Sequence, residues 1–177
     1  MKILKILAGI VLSLVALFFI IGFFLPKTYR VSKSIEINRP DSLVYQKTLN
    51  LNDFALWNPW MEIEPSAKKT VNGDGVSVGS SFGWVGKEVG TGSMTIEKVT
   101  PLKQIDERLE FIEPFQSTAM TSFYFEPGAN GGTKVTWDFS GNNNSIAERW
   151  MSLAYDRMIG KDYAKGLANL KAFVEKQ

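Results

Sequence analysis

No charged side chain occurs between Ile6 and Leu25, and this run of 20 residues constrains the fold more than any other feature. About 20 helical residues, rising 1.5 Å each, cross the ~30 Å hydrocarbon core of a bilayer. The run is apolar on every side, unlike the one-sided helix that covers a soluble core. Lys2 and Lys5 precede it, and Lys27, Arg30 and Lys33 follow it. A cleaved secretory signal has a shorter apolar region of roughly 7–15 residues and a small-x-small cleavage site. Here Phe18, Phe19, Phe23 and Phe24 lead into Pro26, and Gly22 stands alone among bulky neighbours. The run therefore reads as an uncleaved single-pass anchor over residues 6–25, with a long signal peptide as the alternative. Residues 1–28 form the anchor segment and 29–177 one domain of ordinary size. Positive charge on the two flanks nearly balances, so the positive-inside rule leaves the orientation open. A short amino-terminal tail usually stays inside, which would export the domain.

Charge and composition then remove several classes of function. The net charge is +2, but Lys2, Lys5, Lys27 and Arg30 carry the whole basic excess. From Val31 onward sixteen Lys plus Arg face eighteen Asp plus Glu. A slightly acidic domain argues against nucleic acid as a partner, because phosphate backbones need a basic face. The chain has no cysteine and no histidine. Disulfides, thiol nucleophiles, Ser-His pairs and zinc sites therefore cannot be built from it. We expect no metal and no cofactor.

After the anchor, "TYRVSKSIEINRP" reads as a strand that sets Val31, Ser34 or Ile35, and Ile37 against Ser32, Lys33 and Glu36, stopped by Pro40. Pro40 and Asp41 suit a helix start, and Asn50, Asn52 and Asp53 suggest that this helix breaks and a short second one begins. "WNPWMEIEPSAKK" reads as a loop pinned by Pro59 and Pro65. Period-two patterning follows, in strands around Ser80–Trp84 and Gly92–Thr100, then through "KQIDERLEFIEP", "STAMTSFYFEP" and "TKVTWDFSGN". Ser145 and Glu148 form a capping box. Ile159, Tyr163, Leu167, Leu170 and Val174 then lay one apolar stripe along a long last helix, with a bend expected near Gly160. Strands in a run, with helices to one side, predict an α+β fold of at least five antiparallel strands after the short helices.

The stretches "SIEINRPDSLVYQ", "WNPW", "GSMTIEKVTP", "FYFEP", "GGTKVTWDFSG" and "MIGKDYAKGLANLK" together resemble the START-like (SRPBCC) superfamily, within it the polyketide cyclase/dehydrase-like branch. The resemblance spans nearly everything after Thr28, and order and spacing carry it rather than a single motif. It implies a helix-grip fold, in which a curved antiparallel sheet is closed by the last helix over a cavity for an apolar or amphipathic ligand. Such a leader also resembles those of many bacterial members, which implies a bacterial inner-membrane protein; the side of the domain stays open, with the short tail favouring the periplasmic one. The superfamily mixes lipid carriers, steroid binders, cyclases and regulatory modules, so the resemblance does not decide the reaction.

The residues point to the same interior. Phe123 and Phe125 should face inward with Val135, Trp137 and Phe139, which puts the small Ala119 and Thr121 inside as well. Small residues beside large rings either leave volume for a ligand or interdigitate in a dry core that the last helix fills. The ligand-binding candidates are Trp57, Trp60, Trp84, Phe111, Ala119, Thr121, Phe123, Trp137, Trp150 and Met158. Trp57 and Trp60 flank Asn58-Pro59 and suit either a cavity mouth or a plug, with their N–H groups bonded to backbone. Trp84 also reads as core, and Met94, Met120, Met151 and Met158 as adaptable filler. Glu107 breaks the pattern of Ile105, Leu109 and Phe111. Its carboxylate sits either at the open end of the sheet or inside, paired with Arg149 or Arg157. Only in the buried case is it a candidate acid or base. The expected function is a membrane-tethered binder of a lipid or other hydrophobic small molecule. The alternatives are a cyclase/dehydrase-type enzyme using Glu107 with Tyr124 or Tyr163, and an envelope regulatory module.

Overall fold

The period-two stretches pair into one antiparallel sheet with the helices on its inner face. The computed structural model describes residues 2–177, in the order α1 (Lys2–Phe24), β1 (Thr28–Ile37), α2 (Asp41–Leu49), α3 (Leu51–Trp57), α4 (Trp60–Ile63), β2 (Lys68–Asn72), β3 (Ser81–Val85), β4 (Thr91–Thr100), β5 (Gln104–Glu113), β6 (Ser117–Pro127), β7 (Thr133–Asn142), α5 (Ile146–Ser152) and α6 (Tyr155–Glu175). The strand order is β1-β7-β6-β5-β4-β3-β2. Each strand from β2 to β6 pairs with its successor, and β1 closes against β7 from Thr28↔Asn142 to Ile37↔Thr133. The register gives the sheet two distinct ends. At the near end α1 joins β1, beside the β3–β4 and β5–β6 hairpins and the β7–α5 connection. The far end carries the turns after β2, β4 and β6.

The fold is the α+β helix-grip arrangement, and α6 supplies the grip. Its stripe residues Tyr163, Leu167, Leu170 and Val174 are each at most 1% exposed. Burying each such side chain contributes about 1.5–3 kcal/mol. The helix runs from the near end, where Tyr155 packs edge-on to Tyr29 at 4.8 Å, to the far end, where Glu175 Oε1 accepts from Asn38 N at 2.9 Å.

The fold departs from the sequence reading at four places. Lys68–Asn72 adds an edge strand, and Trp60–Ile63 forms α4 inside the expected loop. Edge strand β2 buries none of its residues, so it carries no inward-outward alternation to read. The helical break lies at Leu153–Ala154 and not at Gly160. Gly160 and Gly166 instead allow close approach: a Cβ on Gly160 would lie 2.7 Å from Lys33 Cε, and one on Gly166 2.5 Å from Trp137 Cζ3. Lys33, expected on the wet face, points inward beneath α6. Its stem crosses Gly160 and its ammonium emerges to meet Asp156 Oδ1 at 2.8 Å. On the outward face of β7, Asp138 is only 3% exposed because Arg30 lies over it and Arg30 Nε donates to Oδ2 at 2.7 Å.

Candidate functional site

A cavity of about 210 Å³ lies between the near half of the sheet and the helices. Its wall comes from β3 (Phe82, Trp84), β4 (Met94), β5 (Leu109, Phe111), β6 (Thr121) and β7 (Trp137, Phe139). Phe54 of α3, Asn58, and Trp60 and Met61 of α4 close one side, with Val89 of the β3–β4 hairpin. Ile159, Asp162 and Tyr163 of α6 close the other. The deep residues, Phe82, Met94, Thr121, Trp137 and Tyr163, are buried. The half-buried ones, Trp60, Trp84, Val89, Phe111, Ile159 and Asp162, mark the mouth at the near end.

The aromatic wall is ordered by its own packing. Trp137 stacks on Phe123 at 4.8 Å, lies tilted against Tyr163 at 4.1 Å, and meets Trp57 and Trp60 edge-on at 5.7 and 5.9 Å. Such ring pairs add about 0.5–1.5 kcal/mol each beyond area burial. Three buried polar groups tie this wall to the sheet. Thr121 Oγ1 donates to Asp138 O at 2.9 Å and accepts from Trp137 Nε1 at 2.7 Å. Its single proton is then committed, so in the 3.2 Å contact with Tyr163 the phenol is the donor. Burial holds the Tyr163 phenol above its ordinary pKa, which keeps it a neutral donor.

The fold brings five of the ten candidates, Trp60, Trp84, Phe111, Thr121 and Trp137, onto the cavity wall. The other five lie elsewhere. Trp57 and Phe123 are 2% and 1% exposed and sit in the packed layer behind the wall, where Trp57 acts as the plug. Its indole Nε1 has no partner, contrary to the expected backbone bond. Ala119 is buried opposite Leu109 and does not reach the cavity. Trp150 packs against α1, stacked on Phe18 at 5.4 Å. Met158 is 63% exposed, because the break before α6 turns it outward. Residue reading did not single out Phe54, Asn58, Met61, Phe82, Val89, Leu109 or Asp162 as lining. The stripe led by Ile159 and Tyr163, and the alternation of Phe82 with Trp84, were signals for part of the wall.

Glu107 is not at an open sheet end. It is 1% exposed, mid-strand on β5, opposite Thr121 in the ladder. Neither expected arginine pairs with it: Arg149 Nη1 donates to Phe23 O at 3.0 Å, and Arg157 is exposed. Its Oε2 has no hydrogen-bond partner. Burial pushes the carboxyl up to about 8, with Asp106 adding to the rise, so it is a neutral acid at pH 7. It stands beside the cavity without lining it.

The family described as "Polyketide cyclase / dehydrase and lipid transport" matches residues 28–175. No curated protein matches the chain. Among solved structures, a protein from Nitrosospira multiformis is 23% identical with a TM-score of 0.56, covering 81% of this chain and 94% of its own. A protein from Mycobacterium smegmatis is 16% identical with a TM-score of 0.59, covering 84% of this chain and 92% of its own. DynU16, from the dynemicin biosynthetic locus, is 14% identical with a TM-score of 0.59, covering 82% of this chain and 47% of its own. At these identities the likeness is one of fold. Since the family match takes in all seven strands and α6, the chain belongs to the polyketide cyclase/dehydrase and lipid transport family.

Proposed function

We propose that this chain is a membrane-tethered binding domain that holds a small hydrophobic molecule between its sheet and α6. The observation that carries the reading is how the deep polar atoms of the cavity are used. Asn58 Nδ2 donates to Phe54 O at 3.0 Å, and its Oδ1 accepts from Met61 N at 3.1 Å. Thr121 spends its proton on Asp138 O, and Tyr163 spends its own on Thr121 Oγ1. These groups build the wall, and a guest at depth meets mostly carbon.

The size of the cavity narrows the guest. At about 210 Å³ it exceeds the ~150 Å³ apolar cavity that takes up benzene. It falls short of the roughly 300–1,000 Å³ of sites for drug-sized ligands. One ring system or a short single chain fits, and a diacyl lipid does not. The tether supports the same reading. α1 is the one described helix long and apolar enough to cross a membrane. An apolar guest partitions into the bilayer, and a domain held beside it works at raised effective concentration.

The test is native mass spectrometry of the full chain released from detergent, with displacement of a fluorescent medium-chain fatty acid as the titration. Wild type should retain or take up one equivalent. Leu109→Trp, which fills the cavity, should stay folded and lose uptake. A wild-type chain refractory to every single-chain and single-ring probe refutes the binder. A cyclase/dehydrase-type enzyme is the second reading, and the unpartnered neutral acid Glu107 favours it. Turnover of a hydrophobic substrate that Glu107→Gln abolishes without unfolding would establish it.

A further inference from the structure

The near end of the sheet carries exposed apolar side chains that packing within the chain does not explain. Phe115 at the tip of the β5–β6 hairpin is 81% exposed, and Ile112 beside it 51%. At the α5–α6 elbow Leu153 is 59% and Met158 63% exposed. Exposure alone does not distinguish this end, because Val78 at the far end is also 61% exposed. What distinguishes it is α1.

α5 lies alongside the last turns of α1. Trp150 stacks on Phe18 with the rings 12° apart, and its Nε1 donates to Phe18 O at 3.2 Å. Phe18 stands six residues before the end of α1, roughly 9 Å along the helix axis. Arg149 Nη1 donates to Gly22 O at 3.3 Å and to Phe23 O at 3.0 Å, satisfying carbonyls that a helix end leaves open. Asn143 Nδ2 donates to Pro26 O at 3.0 Å, so the β7–α5 connection is tied to the same exit. A Cβ on Gly22 would lie 2.3 Å from Ile146 Cγ2, so the two helices meet in close contact. If α1 spans the bilayer, α5 cannot stand clear of it. The indole of Trp150 then reaches about 9 Å back along the apolar run, beneath the headgroups and into the outer hydrocarbon. The neighbouring elbow and hairpins belong to the same end, and so does the cavity mouth.

We propose that the near end is a lipid-bilayer contact surface. The α5–α6 elbow and the β5–β6 hairpin dip into the interface and set the cavity mouth against the membrane, so that a guest passes from lipid to cavity without crossing water. This rests on the tethered-binder reading above and adds a direction of loading to it.

The chain has no cysteine, so single-cysteine labelling is clean. Spin labels at Phe115→Cys and Leu153→Cys, with Val78→Cys as the far-end control, are placed in the full chain in phosphatidylcholine nanodiscs. Collision with oxygen, which concentrates in lipid, is compared with collision with a water-soluble nickel chelate. The near-end labels should show an oxygen-to-nickel ratio about tenfold above that of the Val78→Cys label, as for a site moved from water into the interface. A second measurement follows transfer of the fluorescent fatty acid from phosphatidylcholine vesicles. Phe115→Asp with Leu153→Asp should slow loading from vesicles about tenfold and leave the equilibrium affinity measured in detergent unchanged. Near-end labels as wet as the control overturn the contact surface, even where fatty-acid binding persists. A full chain that carbonate washes from membranes overturns the tether itself. Vesicle loading at the wild-type rate by the double variant overturns the direction of entry.

Discussion

Glu107→Gln changes one proton-binding group and little else, since the amide keeps the shape of the side chain. In the folded chain burial pushes the carboxyl from an ordinary 4.5 to about 8. In the unfolded chain it titrates near 4.5. Below that value both states hold the proton and the group does not affect stability. Between pH 4.5 and 8 the unfolded state releases its proton while the folded state keeps it, so stability falls as pH rises. Above pH 8 both states are ionised and the loss levels off. At 1.36 kcal/mol per pH unit, the cost at pH 7 is about 3 kcal/mol, most of which accrues between pH 5 and 7. Glutamine has no proton to lose. The stability gap between Glu107→Gln and wild type should therefore widen in the variant's favour by roughly 2–3 kcal/mol between pH 5 and 7. The assay is urea unfolding of the full chain in mild detergent, followed by the near-ultraviolet signal of the tryptophan cluster. Parallel pH profiles for the two chains would refute the buried neutral acid, because they require equal proton binding in both states.

Two further substitutions probe the wall of the cavity. Thr121→Val removes the acceptor used by Trp137 Nε1 and Tyr163 Oη and leaves two buried donors unpaired. At about 1–3 kcal/mol per orphaned group, the loss in urea unfolding should be roughly 2–6 kcal/mol. A loss under 1 kcal/mol would mean that water or the guest already satisfies those donors. Gly166→Ala gains about 1 kcal/mol of helix propensity but places a Cβ 2.5 Å from Trp137 Cζ3 and 3.0 Å from Pro59 Cδ. Overpacking of this kind costs about 1–3 kcal/mol, so thermal unfolding should move down. An upward shift would show that α6 can ride away from the sheet.

What the sequence determined by itself was everything carried by local periodicity. The apolar run from Ile6 to Leu25, the alternation through β3 to β7 and the stripe from Ile159 to Val174 each repeat over enough residues to mark an element and its buried face. The break at Asn50 was equally legible, since its side chain caps Asn52 N at 2.9 Å within the next two residues. The tertiary structure decided whatever depends on a neighbour distant in sequence. β2 exists because β3 offers it an edge, not because its own residues alternate. Gly160 reads locally as a bend, yet it is a seat for Lys33, 127 positions earlier in the numbering. Glu107 breaks its strand pattern, and the pattern alone does not say whether α6 covers that position or stops short of it. Of ten candidate lining residues, five face the cavity, because the rest are held in a packed layer behind it or on helices turned the other way by the break at Leu153. Periodicity states which face of an element is apolar. Whether that face meets another side chain or empty space is settled only by the distances between elements, and those depend on the packing of the whole chain.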